Sequence, residues 1–443
     1  MTVDIVVHRR RVCQSTYKCK VNIFRCITVH REFQMREAWI IDGVRSPRGR
    51  GKPGKGSLTH MHPQRCMAQV LNALKDKVGF DPEDVEDVIA GCAASGGDHS
   101  SDISRLSVLD AGWPISVPGV TLDRYCGSGQ QAVSFAAMGV IAGHQELTIG
   151  GGVEFMSRYA APSTKGFHSS NEHLFDQYPM VPQGISADLI ATVEGFSRED
   201  CDSFGVESQK RADEAIKDGR FKNSVVPIYN DDGSLALDHD EFPRPGTTME
   251  DLAGLRPSFE AMGSAQIPDY DKTFDEYAKQ VYPEIDKVNH VHHAGNSSGV
   301  VDGASAILVS SPDYAKAHGL KPRAKLVMSA SSGTEPVIML TGPGPAAQIC
   351  LRKAGMTNSD IDLWEINEAF AAVVLKFMKD LKVDHEFLNV NGGAIALGHP
   401  IGGTGPMLMQ TVLDELERRD KSTAMIAMCT GGGMGTATII ERI

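Results

Sequence analysis

The chain contains one structural unit twice, and this repeat constrains its fold more than any other feature. In the first copy, a helix that ends at Gly79 is followed by an acidic turn and a strand at 88–89. In the second copy, a helix that ends at Gly355 is followed by a similar turn and a strand at 364–366. Glycine just after a helix can adopt the left-handed conformation that closes it. The repeat predicts two α/β halves of the same design, each a mixed sheet flanked by helices.

The later segments of each half also follow the same order. The first half has a strand at 119–123, a glycine turn, a helix at 130–143 and a strand at 147–152, and the second has a strand at 388–390, a glycine-rich stretch at 392–405, a helix at 406–418 and a strand at 425–433. In two packed halves the turns that enter these helices would face one cleft. We therefore expect residues that are distant in the chain to share one site.

Length, charge and cysteine content exclude several classes of protein. The 443 residues, 41% of them hydrophobic, suffice for two or three domains with large cores. A net charge of −12 argues against a nucleic-acid or anionic-membrane partner, because no dominant basic face is available for phosphates. No run has the length of a membrane span, and no N-terminal stretch resembles a secretory signal. The nine cysteines include no CxxC pair, so we expect reduced thiols in a cytoplasmic protein, without a disulfide framework or a metal site.

The first 34 residues differ in composition from the rest. They carry seven Lys and Arg residues against two acidic ones, and three of the nine cysteines. Met35 then precedes a clear strand at 37–42. A start site assigned too far upstream, a basic targeting presequence and a genuine extension are all consistent with this pattern. In each case we expect 1–34 to lie outside the fold.

Cys126 lies in a glycine turn between the strand at 119–123 and the Ala-rich helix at 130–143. The N-terminus of a helix presents unsatisfied N–H groups and a positive potential, which favour the thiolate. The position therefore predicts an accessible nucleophile with a lowered pKa. The alternative is that Cys126 is a small buried hydrophobic residue, which is common for free cysteine.

The second half places further reactive groups beside this turn. His399 lies in the glycine-rich stretch 398–405, at the position that corresponds to Cys126 in the repeat, and a base opposite a thiol is what nucleophilic cysteine catalysis requires. Cys429 ends the strand that starts at Ala424 and precedes a turn with Gly431. Glycines there let the backbone approach a ligand and direct N–H groups at an oxyanion.

Two further polar positions have both a functional and a structural interpretation. Asn367 follows the strand at 364–366, where its amide can hold a water molecule or simply cap a helix. His292 and His293 are adjacent, but neighbours on an extended strand point to opposite faces. We therefore interpret the two histidines as core or solvated residues and not as metal ligands.

Four motifs together resemble the signatures of the thiolase family, the acetyl-CoA C-acyltransferases. They lie at 126–132, at 367–371 with 391–405, at 429–435 and at 151–157, and the resemblance extends over nearly all of the chain from Met35 to Ile443. An ordered set of motifs is far more specific than a single glycine pattern. The resemblance implies an α/β fold with a five-layered αβαβα core made of two duplicated halves, together with an inserted loop domain.

The same resemblance implies the domain boundaries. The N-terminal half would span 35–157 and be completed by 292–312. The loop domain that covers CoA would span 158–291, and the C-terminal half 313–443. Between Pro257 and Ala294 the chain is longer than the thiolases that it resembles, with Tyr and acidic residues around 269–282, so the acyl-chain specificity of relatives cannot be transferred. His293 also replaces a small polar residue that is more usual in the family.

The resemblance implies a reaction and a role for each catalytic residue. The enzyme would cleave a 3-oxoacyl-CoA with CoA into acetyl-CoA and a shortened acyl-CoA, or condense two acetyl-CoA molecules. Cys126 would be the nucleophile and acyl carrier, His399 the base and part of an oxyanion hole, and Cys429 the second acid/base. Asn367 would hold a water in the same oxyanion hole, and the N–H of Gly431 would bind the other oxyanion.

The resemblance also implies how CoA is bound and how the protein assembles, and it leaves two alternative functions open. Ser298, Ala369 and Phe370 would contact the pantetheine of CoA, although plain packing explains them almost as well. CoA would be a substrate, with no bound cofactor and no metal, in lipid metabolism such as β-oxidation, and the protein would be a homodimer or homotetramer. The alternatives are a ketosynthase-like condensing enzyme, which would not need Cys429, and a non-catalytic lipid-binding or scaffold relative.

Overall fold

The computed structural model describes residues 36–159, 171–267 and 270–443. The basic segment 1–34 and Asp269, in the predicted insertion, lie outside the described residues. The strands are β1 (Trp39–Arg45), β2 (Gly49–Arg50), β3 (Asp87–Gly91), β4 (Gly119–Leu122), β5 (Leu147–Phe155), β6 (Ile228–Tyr229), β7 (Leu235–Leu237), β8 (Val301–Ser310), β9 (Ala324–Gly333), β10 (Leu363–Ile366), β11 (Thr423–Thr430) and β12 (Met434–Arg442). The α-helices are α1 (Pro63–Val78), α2 (Ile103–Asp110), α3 (Ser128–Ile141), α4 (Glu172–Gln177), α5 (Gln183–Glu194), α6 (Arg198–Lys217), α7 (Met249–Ala253), α8 (Glu260–Gly263), α9 (Phe274–Val281), α10 (Pro312–Ala317), α11 (Pro343–Ala354), α12 (Ala371–Leu381), α13 (Ala394–Leu397) and α14 (Thr404–Arg418). None of these helices is long and apolar enough to cross a membrane.

The predicted duplication is confirmed by the order of the strands. In the first half the order across the sheet is β4-β3-β5-β8-β1, which is third, second, fourth, fifth and first along the chain if the short β2 is left aside. In the second half it is β10-β11-β12-β9, and a parallel bridge from Leu388 to Trp364 stands in the place of the third strand. Parallel and antiparallel pairs also occur at matching positions. The halves join where β1 pairs with β9, so that one sheet contains both.

The strand predicted at 388–390 is reduced to isolated bridges. Asn389 has a left-handed φ of 49°, which interrupts an extended strand. Its side chain replaces part of the ladder, because its Oδ1 accepts the N–H of Ile366 at 2.7 Å and its Nδ2 donates to the oxygen of Ile366 at 2.8 Å. The side chain of Asn389 therefore holds this segment beside β10 without a regular strand.

The helices and apolar clusters define the layers of the core. Helices α3 and α14 pack against each other and against strands of both halves, with one apolar cluster around them. A second cluster joins α1 to the first half of the sheet, and a third joins α11 and α12 to the second half. This arrangement is the αβαβα core, and its central layer brings the starts of α3 and α14 together. The glycine ends predicted for α1 and α11 are also confirmed, with φ of 81° at Gly79 and 70° at Gly355.

The loop segment between the halves contains α4 to α9 and the β6–β7 hairpin. His292 and His293 lie where it returns to the core, and both are buried. The Nδ1 of His292 lies 2.7 Å from Asp188, and the Nε2 of His293 lies 2.8 Å from Asp202. The adjacent histidines are thus core residues that bind different carboxylates.

Candidate active site

Three glycine-rich turns meet between the two halves. Tyr125, with a left-handed φ of 48°, turns the chain so that Cys126 lies at the entrance to α3. Close contact between the halves depends on glycines. A Cβ on Gly129 would lie 2.3 Å from the oxygen of Gly402, and a Cβ on Gly152 would lie 2.0 Å from the same oxygen. Any side chain at either position would push the turn that follows His399 away from the turn that holds Cys126.

Cys126 is buried, and this corrects the expectation of an accessible thiol with a lowered pKa. The side chain is 4% exposed, and burial raises the pKa of the Cys126 thiol to about 11. The side chain of Gln183 and the N–H groups of Cys126 and Gly431 bind the sulfur and lower its pKa, but they do not offset burial. The start of α3 supplies hydrogen-bond donors to the sulfur, as expected. The segments that bury the thiol have the larger effect, and they raise its pKa. The thiol of Cys126 is therefore protonated at neutral pH.

His399 is held with one ring nitrogen available as a base. Its Nδ1 lies 2.6 Å from the hydroxyl of Thr404, and that hydroxyl donates to the oxygen of Pro400 at 2.8 Å. Because the hydroxyl proton of Thr404 is used in the bond to Pro400, the hydroxyl accepts a hydrogen bond from Nδ1 of His399. The imidazole is therefore protonated at Nδ1 and carries its lone pair on Nε2. Burial and the charge of Arg48 lower the pKa of His399 to about 3, which keeps the imidazole neutral.

Asn367 lies directly beside this base. It is fully buried, and its Nδ2 lies 3.3 Å from Nε2 of His399. Its Oδ1 has no hydrogen-bond partner among the described residues, and a buried carbonyl oxygen of this kind is a site for an ordered water. The helix-cap interpretation is wrong, because α12 begins at Ala371 and its N-cap is Phe370.

Cys429 is the second thiol of the site. It lies inside β11, one residue before the end of that strand, and is fully buried. Burial and the neighbouring Cys126 raise the pKa of Cys429 well above its ordinary value. After it the chain turns through Gly431, whose N–H reaches the sulfur of Cys126, and through Gly432 and Gly433, which have left-handed φ values of 73° and 76°. The structure thus brings both thiols and the predicted oxyanion donor into one place.

The three residues expected at the pantetheine also lie together. The N–H of Ser298 donates to the oxygen of Ala369 at 2.9 Å, and Ser297 forms a bridge with Phe370. One residue further on, Gly299 accepts the N–H of His399 at 2.9 Å. Ser298, Ala369 and Phe370 therefore border the segment that carries the base.

Two residues of the site were missed by the sequence analysis. Gln183 was assigned only to the loop domain, although it is the polar first residue of a largely apolar helix, α5, and contacts Cys126. Glu154 lies within the fully buried strand β5, where a carboxylate is unusual. Its oxygens accept the N–H groups of Ala93, Ala94 and Gly402 at 2.8, 3.0 and 2.9 Å. Glu154 thereby fixes the turn after His399 to the first half.

A metal ion has a poor site in this region. Cys92, His99 and Glu154 are the described residues whose ligand atoms lie close enough together to share one. However, Nε2 of His99 already accepts the N–H of Phe155 at 2.9 Å, and the Glu154 oxygens accept three backbone N–H groups. These atoms are already engaged by backbone N–H groups of both halves.

Comparisons with known proteins agree with this geometry. Residues 38–275 match the family described as thiolase, N-terminal domain, and residues 320–442 match thiolase, C-terminal domain. A steroid 3-ketoacyl-CoA thiolase of Mycobacterium tuberculosis is 39% identical, with 92% of this chain and 95% of the relative covered. A 3-oxoadipyl-CoA/3-oxo-5,6-dehydrosuberyl-CoA thiolase of Escherichia coli is 38% identical, with 92% and 100% covered. The crystal structure of the Bacillus anthracis acetyl-CoA acetyltransferase superposes with a TM-score of 0.78 at 33% identity, and it covers 92% of this chain and 99% of its own.

Proposed function

The chain belongs to the thiolase family and is an enzyme of the thiolase class, and from this premise we propose that Cys126 is its acyl carrier, with His399, Cys429, Asn367 and Gly431 as the other catalytic groups. The observation that carries the proposal is that two buried thiols lie together, while a neutral imidazole lies on the turn that packs against the start of α3 beside Cys126. A ketosynthase-like enzyme has no use for the second thiol, and a scaffold relative has no use for the set.

Cleavage begins with activation of Cys126. Since the thiol is protonated at neutral pH and His399 is neutral, Nε2 of His399 takes the proton as the sulfur attacks the 3-keto carbon of a 3-oxoacyl-CoA. The carbonyl oxygen becomes an oxyanion, and the N–H groups of Cys126 and Gly431 stabilise it. These donors bind the sulfur in the free enzyme, so they are already at the reacting centre.

The carbon–carbon bond then breaks. The bond between C2 and C3 gives its electron pair to C2, which leaves as the enolate of acetyl-CoA, while the acyl group stays on Cys126. His399 and a water held by Oδ1 of Asn367 stabilise the enolate oxygen. Cys429 gives its proton to C2, and in the condensing direction the Cys429 thiolate removes it. The thiol of CoA finally attacks the acyl-Cys126 thioester and gives its proton to the Cys429 thiolate, while His399 returns its proton to the sulfur of Cys126 as the shortened acyl-CoA leaves.

We further propose that the enzyme is a homodimer or a homotetramer. Strand β4 is an edge of the sheet, and an edge strand can pair with the same strand of a second copy. Apolar side chains are exposed on and around it, namely Leu109, Ile115, Val120, Phe135 and Met138. A second copy would cover this surface close to Cys126. Light scattering on the purified protein tests this, with Val120→Asp expected to reduce the measured mass to that of the monomer.

We also expect the enzyme to act in a reducing compartment, which we take to be the cytoplasm, in fatty acid metabolism. The six cysteines of the described residues are unpaired, and the mechanism needs Cys126 and Cys429 as thiols. CoA would enter as a substrate, with no bound cofactor.

The assay that tests the catalytic assignment is CoA-dependent loss of acetoacetyl-CoA and of a longer 3-oxoacyl-CoA. Wild type should consume at least one of them, and Cys126→Ala and Cys429→Ala should both lose activity by several orders of magnitude. Activity that survives both substitutions would overturn the site assignment. A folded wild-type protein that is inactive with both substrates would favour the scaffold alternative.

A further inference from the structure

The segment 334–340 connects β9 to α11, and we call it the acyl wall. The N–H of Thr334 donates to the oxygen of Gly433 at 2.7 Å, in the turn that follows Cys429. On its other side, the hydroxyl of Ser186 in α5 donates to the oxygen of Val337 at 2.7 Å. Helix α5 begins at Gln183, whose side chain binds Cys126. The acyl wall therefore lies between the turn of the second thiol and the helix that touches the first.

The acyl wall is apolar, and its conformation is imposed by its surroundings. The side chains at 337–340 are Val, Ile, Met and Leu, and all four are buried. Met339 has a left-handed φ of 51°, a conformation that persists only where neighbouring contacts maintain it. Glu335 supplies such contacts, since its carboxylate oxygens accept the N–H groups of Val337 and Ile338, each at 2.9 Å.

The insertion is hydrogen-bonded to the acyl wall through the carboxylate of Glu335. The hydroxyl of Tyr282, just after α9, donates to Oε2 of Glu335 at 2.9 Å. Three apolar insertion residues, Ala278, Ile285 and Val288, belong to the same buried cluster as the side chains of the wall. The insertion is also fixed to α5, because His290 lies 2.7 Å from Asp188 of α5 and 3.0 Å from Asp275 of α9.

We propose that the acyl wall lies beside the acyl group on Cys126, and that the insertion around 265–290 sets the acyl-chain selectivity of the enzyme through its described part, 270–290. Tyr282 and Glu335 are the positioning residues that hold the acyl wall. The acyl group that this wall accepts is an uncharged aliphatic chain. Glu335 is the only ionisable residue within 334–340, so a chain that ends in a carboxylate meets an apolar surface and a like charge there. The inference rests on the proposed function, because it assumes that Cys126 carries the acyl group.

The test compares kcat/KM for three substrates in wild type, Tyr282→Phe and Tyr314→Phe. Acetoacetyl-CoA has only a methyl group beyond its reacting carbon, 3-oxooctanoyl-CoA has a pentyl chain, and 3-oxoadipyl-CoA has a chain with a terminal carboxylate. Tyr314→Phe is the matched control, because Tyr314 also donates to a carboxylate, that of Asp84, and packs against the apolar cluster of the first half instead of the insertion.

Wild type should favour 3-oxooctanoyl-CoA over 3-oxoadipyl-CoA by about tenfold or more, which is the scale of one or two methylene contacts in an apolar pocket. Tyr282→Phe should lower kcat/KM for 3-oxooctanoyl-CoA about tenfold and leave that for acetoacetyl-CoA within about twofold, because a methyl group buries far less apolar surface than a pentyl chain. Tyr314→Phe should change neither value. Glu335→Gln should reproduce the selective loss, with KM affected more than kcat.

Several results would overturn the inference. One is an equal fall of kcat/KM for acetoacetyl-CoA and 3-oxooctanoyl-CoA in Tyr282→Phe and Glu335→Gln. Another is no change of kcat/KM in either of these variants, and a third is a wild-type preference for 3-oxoadipyl-CoA over 3-oxooctanoyl-CoA. Melting temperatures of all variants, measured in parallel, separate a selective effect from unfolding. A wild-type protein without activity on any of the three substrates would instead overturn the proposed function itself.

Discussion

The hydroxyl of Thr404 decides which nitrogen of His399 can act as the base. It donates to Pro400 and therefore accepts from Nδ1 of the imidazole, which leaves the Nε2 lone pair beside Asn367. Histidine bases commonly owe their tautomer to such a contact. The pairing of a neutral base with a protonated thiol follows from burial of both groups between the two halves.

Replacing Thr404 by valine should lower kcat by about one to two orders of magnitude, because both tautomers of His399 become accessible. KM should change little, since Thr404 is fully buried behind the imidazole. Steady-state kinetics measure both values. Thr411→Val is the control, because Thr411 lies on the same helix and also donates to the carbonyl four residues before it. Equal kcat values for the two variants would show that Thr404 does not orient the base.

Replacing Gln183 by methionine should raise the pKa of Cys126 above its value of about 11, because the side-chain hydrogen bond of Gln183 lowers that pKa. The dependence of the iodoacetamide alkylation rate on pH measures it. Gln177→Met, a change at an exposed residue of α4, should leave the profile unchanged. A Gln183→Met profile that coincides with wild type would contradict the contact.

The four side chains that we propose as catalytic could be located from the sequence, because each lies beside glycines or at a strand end in a motif that can be read locally. The direction in which the pKa of Cys126 shifts could not be predicted. It depends on how completely distant segments cover the thiol, and burial outweighs the donors of the helix N-terminus. Gln183 was missed for the same reason, since only the folded chain brings α5 to Cys126.

At the scale of elements, Glu154 joins the strand β5 to the turn that precedes α14. A carboxylate can accept several N–H groups at once, and this one accepts three from two different segments. Burial raises the pKa of Glu154, while these bonds act in the opposite direction. The sequence shows only an acidic residue in an apolar strand, so its partners could not be predicted.

Replacing Glu154 by glutamine should lower the free energy of unfolding by roughly 2–4 kcal/mol, because the amide NH₂ would face backbone donors that are left without an acceptor. Urea denaturation measures the loss. Glu146→Gln, which removes a partly exposed ion pair with Arg36, should cost under about 1 kcal/mol. Equal losses in the two variants would contradict the role assigned to Glu154.

The contact of His290 between α5 and α9 should make stability depend on pH. Burial opposes the charged imidazole, but the carboxylates of Asp188 and Asp275 outweigh it and raise the pKa of His290 to about 9, with His292 bound to the same Asp188. Because the folded pKa exceeds the unfolded value of about 6.5, the stabilisation is complete below about pH 6.5 and is lost as the pH rises through about 9. The urea midpoint should fall across this range more steeply in wild type than in His290→Gln. Parallel pH dependences of the urea midpoint in wild type and His290→Gln would contradict the role assigned to His290.

At the scale of the whole molecule, the duplication explains why one site needs residues from both ends of the chain. Each half has the same strand order, and the turns that precede α3 and α14 meet in the central layer. This could be predicted, because the repeat is visible in local segments. Two other features could not be predicted: the single sheet formed by pairing of β1 with β9, and the hydrogen bond between the insertion and the acyl wall. Both depend on contacts between segments whose sequences share no pattern.

The proposed mechanism requires that Cys126, and not Cys429, carry the acyl group. The most direct test is mass spectrometry of peptides from enzyme incubated with acetyl-CoA and quenched with acid. Wild type and Cys429→Ala should each carry one acetyl group on the peptide with Cys126, and Cys126→Ala should carry none. An acetyl group on Cys429 in wild type, or on any cysteine of Cys126→Ala, would contradict it.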